Sequence, residues 1–123
     1  MAPTIAQADG ETKQAYGEAL QRLGRTGEAV DAYRRALSVA DSLHLAHNNL
    51  AWALATELDA AAEALPHAQR AIELNPDSAD YQDTYLEVLE RLGRVEAARA
   101  HLRSILPRFG ANAALRARAE RLL

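Results

Sequence analysis

Four histidines, His44, His47, His67 and His101, are the side chains best suited here to hold a metal ion or to move a proton. His44 and His47 stand three apart, so a helix would put both on one face. A metal centre needs further ligands at matching spacing, and no neighbouring residue supplies them. Cysteine is absent, which removes disulfides, thiolate zinc sites, iron–sulfur clusters and thiol nucleophiles. Asp41, Ser42 and His44 have the side chains of a hydrolytic triad, but residues this close at a helix start do not converge on one point. A Ser or Asp there is better read as a helix cap. Asp80 and Asp83 are surface charges as readily as an acid–base pair, and no glycine-rich phosphate loop follows a strand pattern. The sequence therefore predicts no catalytic residue, no metal site, no cofactor and no small-molecule substrate, hence no enzyme.

What remains is the scaffold that would carry these residues. The 123 residues suit one domain or one short repeat array. Alanine occurs 28 times and leucine 18 times, while aromatics make up 5%. Such a composition favours an all-α protein. No apolar run approaches the roughly 20 residues that span a bilayer, so no membrane insertion is expected. Met1-Ala2-Pro3-Thr4 has neither a basic nor an apolar stretch of a secretory leader. A cytoplasmic location is favoured, a periplasmic one being compatible with a leader already removed.

Internal repetition is visible directly. Arg22-Leu23-Gly24-Arg25 recurs 69 residues later as Arg91-Leu92-Gly93-Arg94, close to two periods of 34. Between them, Ala29, Tyr33 and Ala36 recur as Ala64, Ala68 and Ala71, and then as Ala98, Leu102 and Ile105. The second copy carries one extra residue, expected between Thr56 and Ala62. Apolar spacing and breakers predict helices over 11–23, 27–40, 43–57, 61–74, 78–92, 95–107 and 112–123. Gly24 and Gly93 end helices, and Asp77 or Ser78 caps the one after Pro76. Tyr16, Leu20 and Leu23 share a face opposite Ala29, Tyr33, Ala36 and Leu37, and small residues such as Gly17 and Ala29 let the two axes approach closely. The expected layout is a flexible segment 1–9 and a domain over 10–123. That domain has hairpins at about 10–43, 44–78 and 79–112 and a capping helix at 113–123.

Gly17, Leu20, Gly24, Ala29, Tyr33 and Ala36 resemble the signature of the tetratricopeptide (TPR) family, and Ala64, Ala71 and Pro76 fit its later half. The segment Asn48 to Ala55 is similar to one common in bacterial-type TPR proteins. Lys13, Leu58 and Asp41 depart from the pattern, standing where an aromatic, a turn glycine and a closing proline are usual. The resemblance implies a right-handed α-solenoid of three helical hairpins with a C-terminal cap. It also implies a concave groove, lined by the first helix of each hairpin, that takes peptides or helices. Some TPR domains clamp a terminal carboxylate there; the matching positions are Gln14, Glu18, Asn49, Asp80 and Thr84, and only Asn49 fits such a clamp.

Charge then suggests what the groove would take. Glu57 to Glu90 holds nine acids and one arginine, whereas Arg94 to Leu123 holds seven arginines and two acids. The expected groove residues are Glu11, Gln14, Glu18, Asn48, Asn49, Trp52, Asp80, Asp83, Thr84 and Glu87, five of them acidic and none basic. The expected ligand is a basic or amphipathic protein segment, with Trp52 as an aromatic anchor. A net charge of -3 makes nucleic acid an unexpected partner. The other reading is a non-catalytic assembly or regulatory domain of a larger enzyme or secretion complex, able to self-associate; the chain itself is expected as a monomer or a weak homo-oligomer.

Overall fold

Thr4 turns the chain into its first helix, its Oγ1 accepting a hydrogen bond from the Gln7 amide at 3.0 Å. That satisfies one of the donors a helix start leaves free. This computed structural model describes residues 4–123. In it α1 spans Ile5–Arg22, α2 Thr26–Val39, α3 His44–Trp52, α4 Ala61–Leu74, α5 Ala79–Arg91, α6 Val95–Phe109 and α7 Ala113–Leu122. No strand occurs among the described residues. Ser78 and Asn112 cap α5 and α7 as Thr4 caps α1, accepting from the amides of Tyr81 and Leu115. α6 runs on through Pro107 to Phe109.

The first helix starts earlier than the spacing predicts: α1 begins at Ile5 rather than at residue 11, inside the segment 1–9, of which residues 1–3 lie outside the described residues. The first turns of α1 are polar and carry no apolar period. They are held by Gly10, whose missing side chain admits Leu43 and Ala40: a Cβ there would lie 2.9 Å from Leu43 Cδ1. The Lys13–Asp9 ion pair at 2.7 Å adds a link along the helix.

The helices form a repeat solenoid of antiparallel hairpins, α1/α2, α3/α4 and α5/α6, with α7 packed on α5 and α6. The first helices touch in a row, α1 to α3 to α5 to α7, while the backbones of α2, α4 and α6 do not approach one another. The row of first helices is therefore the inner, concave side. The core has two parts. One gathers Leu20, Val30, Tyr33, Leu50, Leu54 and Val88 around Ala29, Ala36, Ala64 and Ala68. The other gathers Leu86, Leu89, Leu102, Ile105, Leu115 and Leu122 around Ala98. Leu65 and Tyr85 pack against both and join them. Tyr16 and Leu23, expected to share the face of Leu20, are instead 62% and 71% exposed, because no helix covers α1 on that side among the described residues.

The extra residue of the second repeat is absorbed inside a helix. Gly24 and Gly93 adopt φ of +76° and +75°, and the amides of Arg25 and Arg94 then reach back to the carbonyls of Leu20 and Leu89, both at 2.9 Å. At the equivalent turn Asp59 takes φ +52°, and the Ala60 amide reaches Leu54 at 2.7 Å, spanning one residue more. α3 widens into a π turn over Ala53–Glu57, which takes up that residue without breaking the hairpin. The insertion thus begins earlier than the expected stretch from Thr56 to Ala62. The carbonyls of the widened turn find side-chain donors: Thr56 Oγ1 donates to Trp52 O at 2.7 Å, and Arg91 Nη1 donates to Ala55 O at 3.3 Å.

Candidate functional site

The concave face is built on α1, α3 and α5. At its α1–α3 half, Glu11 and Gln14 line a cleft of about 360 Å³ together with His44 and Leu45. Glu18 and Asn49 line a second of about 290 Å³ with Gln21 and Arg22. Asn49 Nδ2 donates to Glu18 Oε1 at 3.5 Å across the two helices. Gln14 Oε1 and Asn48 Oδ1, one repeat apart, are both buried and have no hydrogen-bond partner. Each is an acceptor cut off from water, which is costly until a donor arrives. Trp52 is 38% exposed at the edge of the π turn. Glu11, Glu18 and Asp80 take part in no ion pair among the described residues.

The α5 half differs from the expected acidic trough. Thr84 is buried, its Oγ1 donating to Asp80 O at 3.1 Å. Asp83 and Glu87 are engaged by an arginine of α7. Arg118, only 9% exposed, donates Nε to Asp83 at 3.0 Å and Nη2 to Glu87 at 3.3 Å, and its Nη1 bonds Glu90. Arg121 adds two bonds to Glu90, at 2.6 and 3.0 Å. The hydrogen bonds from Arg121 hold the Glu90 carboxyl below its usual pKa, against the opposing effect of burial, and Arg118 adds its charge. Burial works against the charge on Arg118, but the carboxylates outweigh it and push its pKa further up. Arg118 occupies on α7 the place of Asn49 on α3, so the contact is the seam between successive first helices. The charge segregation seen in sequence is thus partly spent inside the molecule.

Sequence reasoning missed a histidine pair behind the groove. His47, 8% exposed, lies with its Nδ1 3.1 Å from Nδ1 of His67 and its Nε2 2.9 Å from the carbonyl of Asp41. A carbonyl only accepts, so Nε2 carries the proton of neutral His47 and its Nδ1 accepts from Nδ1–H of His67. Two protonated rings cannot share that contact. Burial pushes both pKa values down. Arg70 and Asp41 act in opposite senses on His47, while His47 and Arg34 oppose Glu63 on His67. Burial lowers His101 as well; it donates from Nε2 to Gln82 Oε1 at 2.7 Å. Unfolded histidine titrates near pH 6.5, so this contribution to stability is complete above about pH 6.5 and is lost as pH falls through the depressed folded values. Thermal melts between about pH 7 and pH 5 should show the melting temperature falling with pH, with a shallower fall in His67→Gln. Equal slopes would mean that the pair binds protons alike in both states. His44 Nδ1 contacts Tyr81 Oη at 2.8 Å, linking α3 to α5. Among the described residues no three His, Asp or Glu side chains come together as a metal ion would need. No helix there is long and apolar enough to cross a membrane.

Known proteins match this chain at two levels. Residues 11–42 match the family model of the tetratricopeptide repeat. The whole fold is similar to an Arabidopsis OM64 TPR domain, with TM-score 0.85 at 20% identity over 95% of this chain and 96% of that one. It is equally similar to the second TPR domain of human RPAP3, solved with the HSP70 peptide SGPTIEEVD, with TM-score 0.85 at 16% identity over 95% and 97%. The first TPR of Spaghetti (RPAP3), bound to the HSP90 peptide SRMEEVD, gives TM-score 0.83 at 18% identity over 92% and 89%. No curated protein sequence matches.

Proposed function

We propose that the chain is a tetratricopeptide-repeat domain acting as a protein-interaction module, whose concave groove binds a basic or amphipathic peptide or helix at its α1–α3 half. The observation that carries this reading is the set of groove carboxylates, Glu11, Glu18 and Asp80, that take part in no ion pair among the described residues. Such a surface asks for positive charge. The similar RPAP3 domains hold peptides that end in acidic residues. Here Glu18 and Asp80 stand at two of the five clamp positions and would repel a terminal carboxylate. Trp52, half exposed above the same stretch, offers a flat apolar face for an aliphatic side chain or a guanidinium.

The test is a panel of immobilised synthetic peptides, some carrying Arg beside Leu, others ending in acidic residues. The folded chain should be retained by the basic set, less so at high salt, and not by the acid-ended set. Glu11→Lys with Glu18→Lys should slow association, because peripheral charge mainly sets the on-rate. Trp52→Ala should shorten the lifetime of the complex by about 30-fold, the equivalent of roughly 2 kcal/mol at a hot spot. Retention of the acid-ended set, or indifference to all three substitutions, would sink the reading.

A further inference from the structure

One seam of the first hairpin is left unfilled. In the second hairpin His47 meets His67 between α3 and α4, and in the third Gln82 meets His101 between α5 and α6. The repeat register puts Lys13 and Ala32 at these two places in the first. Alanine has nothing to reach with, and a cleft of about 260 Å³ opens there between α1 and α2. Tyr16 and Leu20 form its apolar side; Glu28, Asp31 and Arg35 stand around it with Lys13. Tyr16 is 62% exposed and Leu23, one turn beyond Leu20, is 71% exposed. The equivalents of Tyr16 are covered by the preceding hairpin: Leu50 is fully buried and Tyr85 partly so. The solenoid is therefore closed at one end by α7 and open at the other among the described residues.

We propose that this open face of α1 and α2 is a self-association surface, occupied by the same face of a second copy across a two-fold axis. The argument is its charge pattern. An isologous contact sets each residue of a patch against the patch itself, so the patch must be self-complementary. This one carries two cations, Lys13 and Arg35, and two anions, Glu28 and Asp31, around apolar Tyr16 and Leu20. Glu28, Asp31, Ala32 and Arg35 fall on one stripe of α2. Two such stripes running antiparallel put Glu28 against Arg35 of the second copy. The axis then passes between Asp31 and Ala32, and Ala32, buried at the floor of the cleft, leaves room there for the second copy. Lys13 and Glu28 have partners within the chain, Asp9 at 2.7 Å and Arg25 at 2.8 Å. Both pairs are solvent-exposed and cheap to exchange. Stable dimers bury roughly 1,200–2,000 Å² in total. A face resting on one cleft and a few exposed side chains gives a weak dimer, populated at about 0.1–1 mM protein.

Sedimentation equilibrium of the full chain, from about 10 μM to about 1 mM, reads this directly. The wild type should dimerise with rising concentration, and less at high salt. Glu28→Lys with Asp31→Lys makes the patch wholly cationic, and Lys13→Glu with Arg35→Glu makes it wholly anionic. Each variant alone should lose self-association by at least about tenfold, and an equimolar mixture should restore it as a heterodimer. Restoration also proves both variants folded. A wild type monomeric at about 1 mM overturns the proposal and leaves the face to a helix of another protein. Self-association of either variant at wild-type strength, or a mixture that stays monomeric, overturns it too.

Discussion

Arg118→Ala is expected to destabilise the fold by about 3 kcal/mol, the lower end of what removing one partner from a buried ion cluster costs. Arg118 is 9% exposed and faces three carboxylates, Asp83, Glu87 and Glu90, at i, i+4 and i+7 along α5. Without the guanidinium these three face one another across one helix face, with only Arg91 still on Glu87 and Arg121 on Glu90. Their side chains retain 16–27% exposure, so water relieves part of the cost and the upper end is not reached. Arg118→Lys should not rescue it, since a single ammonium cannot reproduce a fork that bonds three acids. Arg121→Ala, at an exposed position, should lose far less. Adding Asp83→Asn, Glu87→Gln and Glu90→Gln to Arg118→Ala should recover part of the loss by removing the repulsion. Urea denaturation measures all of these, and limited proteolysis at α7 reports its release. If Arg118→Ala costs no more than Arg121→Ala, then Leu115 and Leu122 alone hold the cap.

The same cluster marks the limit of periodic reading. The 34-residue period was legible because Arg-Leu-Gly-Arg and the small-residue positions recur, and these dictate the hairpins locally. Asp83 and Glu87 recur at the same helical positions as Gln14 and Glu18, so the pattern alone puts all four in one groove. It cannot register that α5 has α7 beside it and that an arginine there reaches back. The acids of one segment and the arginines of the next were conspicuous, yet their meeting depends on how the solenoid turns. His47 and His67 were likewise invisible as a pair, since nineteen intervening residues and a hairpin register bring them together. The extra residue was countable, but a π turn and a looser loop have the same count. The polar first turns of α1 lacked any apolar period, although Gly10 packs there against Leu43.

Gly17 tests the one close contact that sequence and structure describe alike. A Cβ at Gly17 would lie 2.6 Å from Cε1 and 2.8 Å from Cδ1 of Tyr33. The Tyr33 ring has no exposed surface, and its hydroxyl is tied to Gln21 Oε1 at 2.6 Å, so it cannot swing away. Burial pushes the pKa of that hydroxyl up to about 12. Alanine in a helix interior is favoured over glycine by about 1 kcal/mol, whereas overpacking costs about 1–3 kcal/mol. At this distance the clash should win, and Gly17→Ala should destabilise by about 1–2 kcal/mol; Gly17→Leu should exceed about 3 kcal/mol. Gly27→Ala is the matched control, since nothing lies within 4 Å of its Cβ position, and it should be neutral or slightly stabilising. The ring itself can be identified as the obstacle by a double-mutant cycle. Tyr33→Phe removes the hydroxyl and keeps the ring, so the Gly17→Ala penalty should persist in that background. Tyr33→Leu removes the ring atoms that meet the new methyl, so the penalty should shrink there. A penalty undiminished by Tyr33→Leu would mean that the backbone of α2, rather than the tyrosine, sets the spacing of the first hairpin.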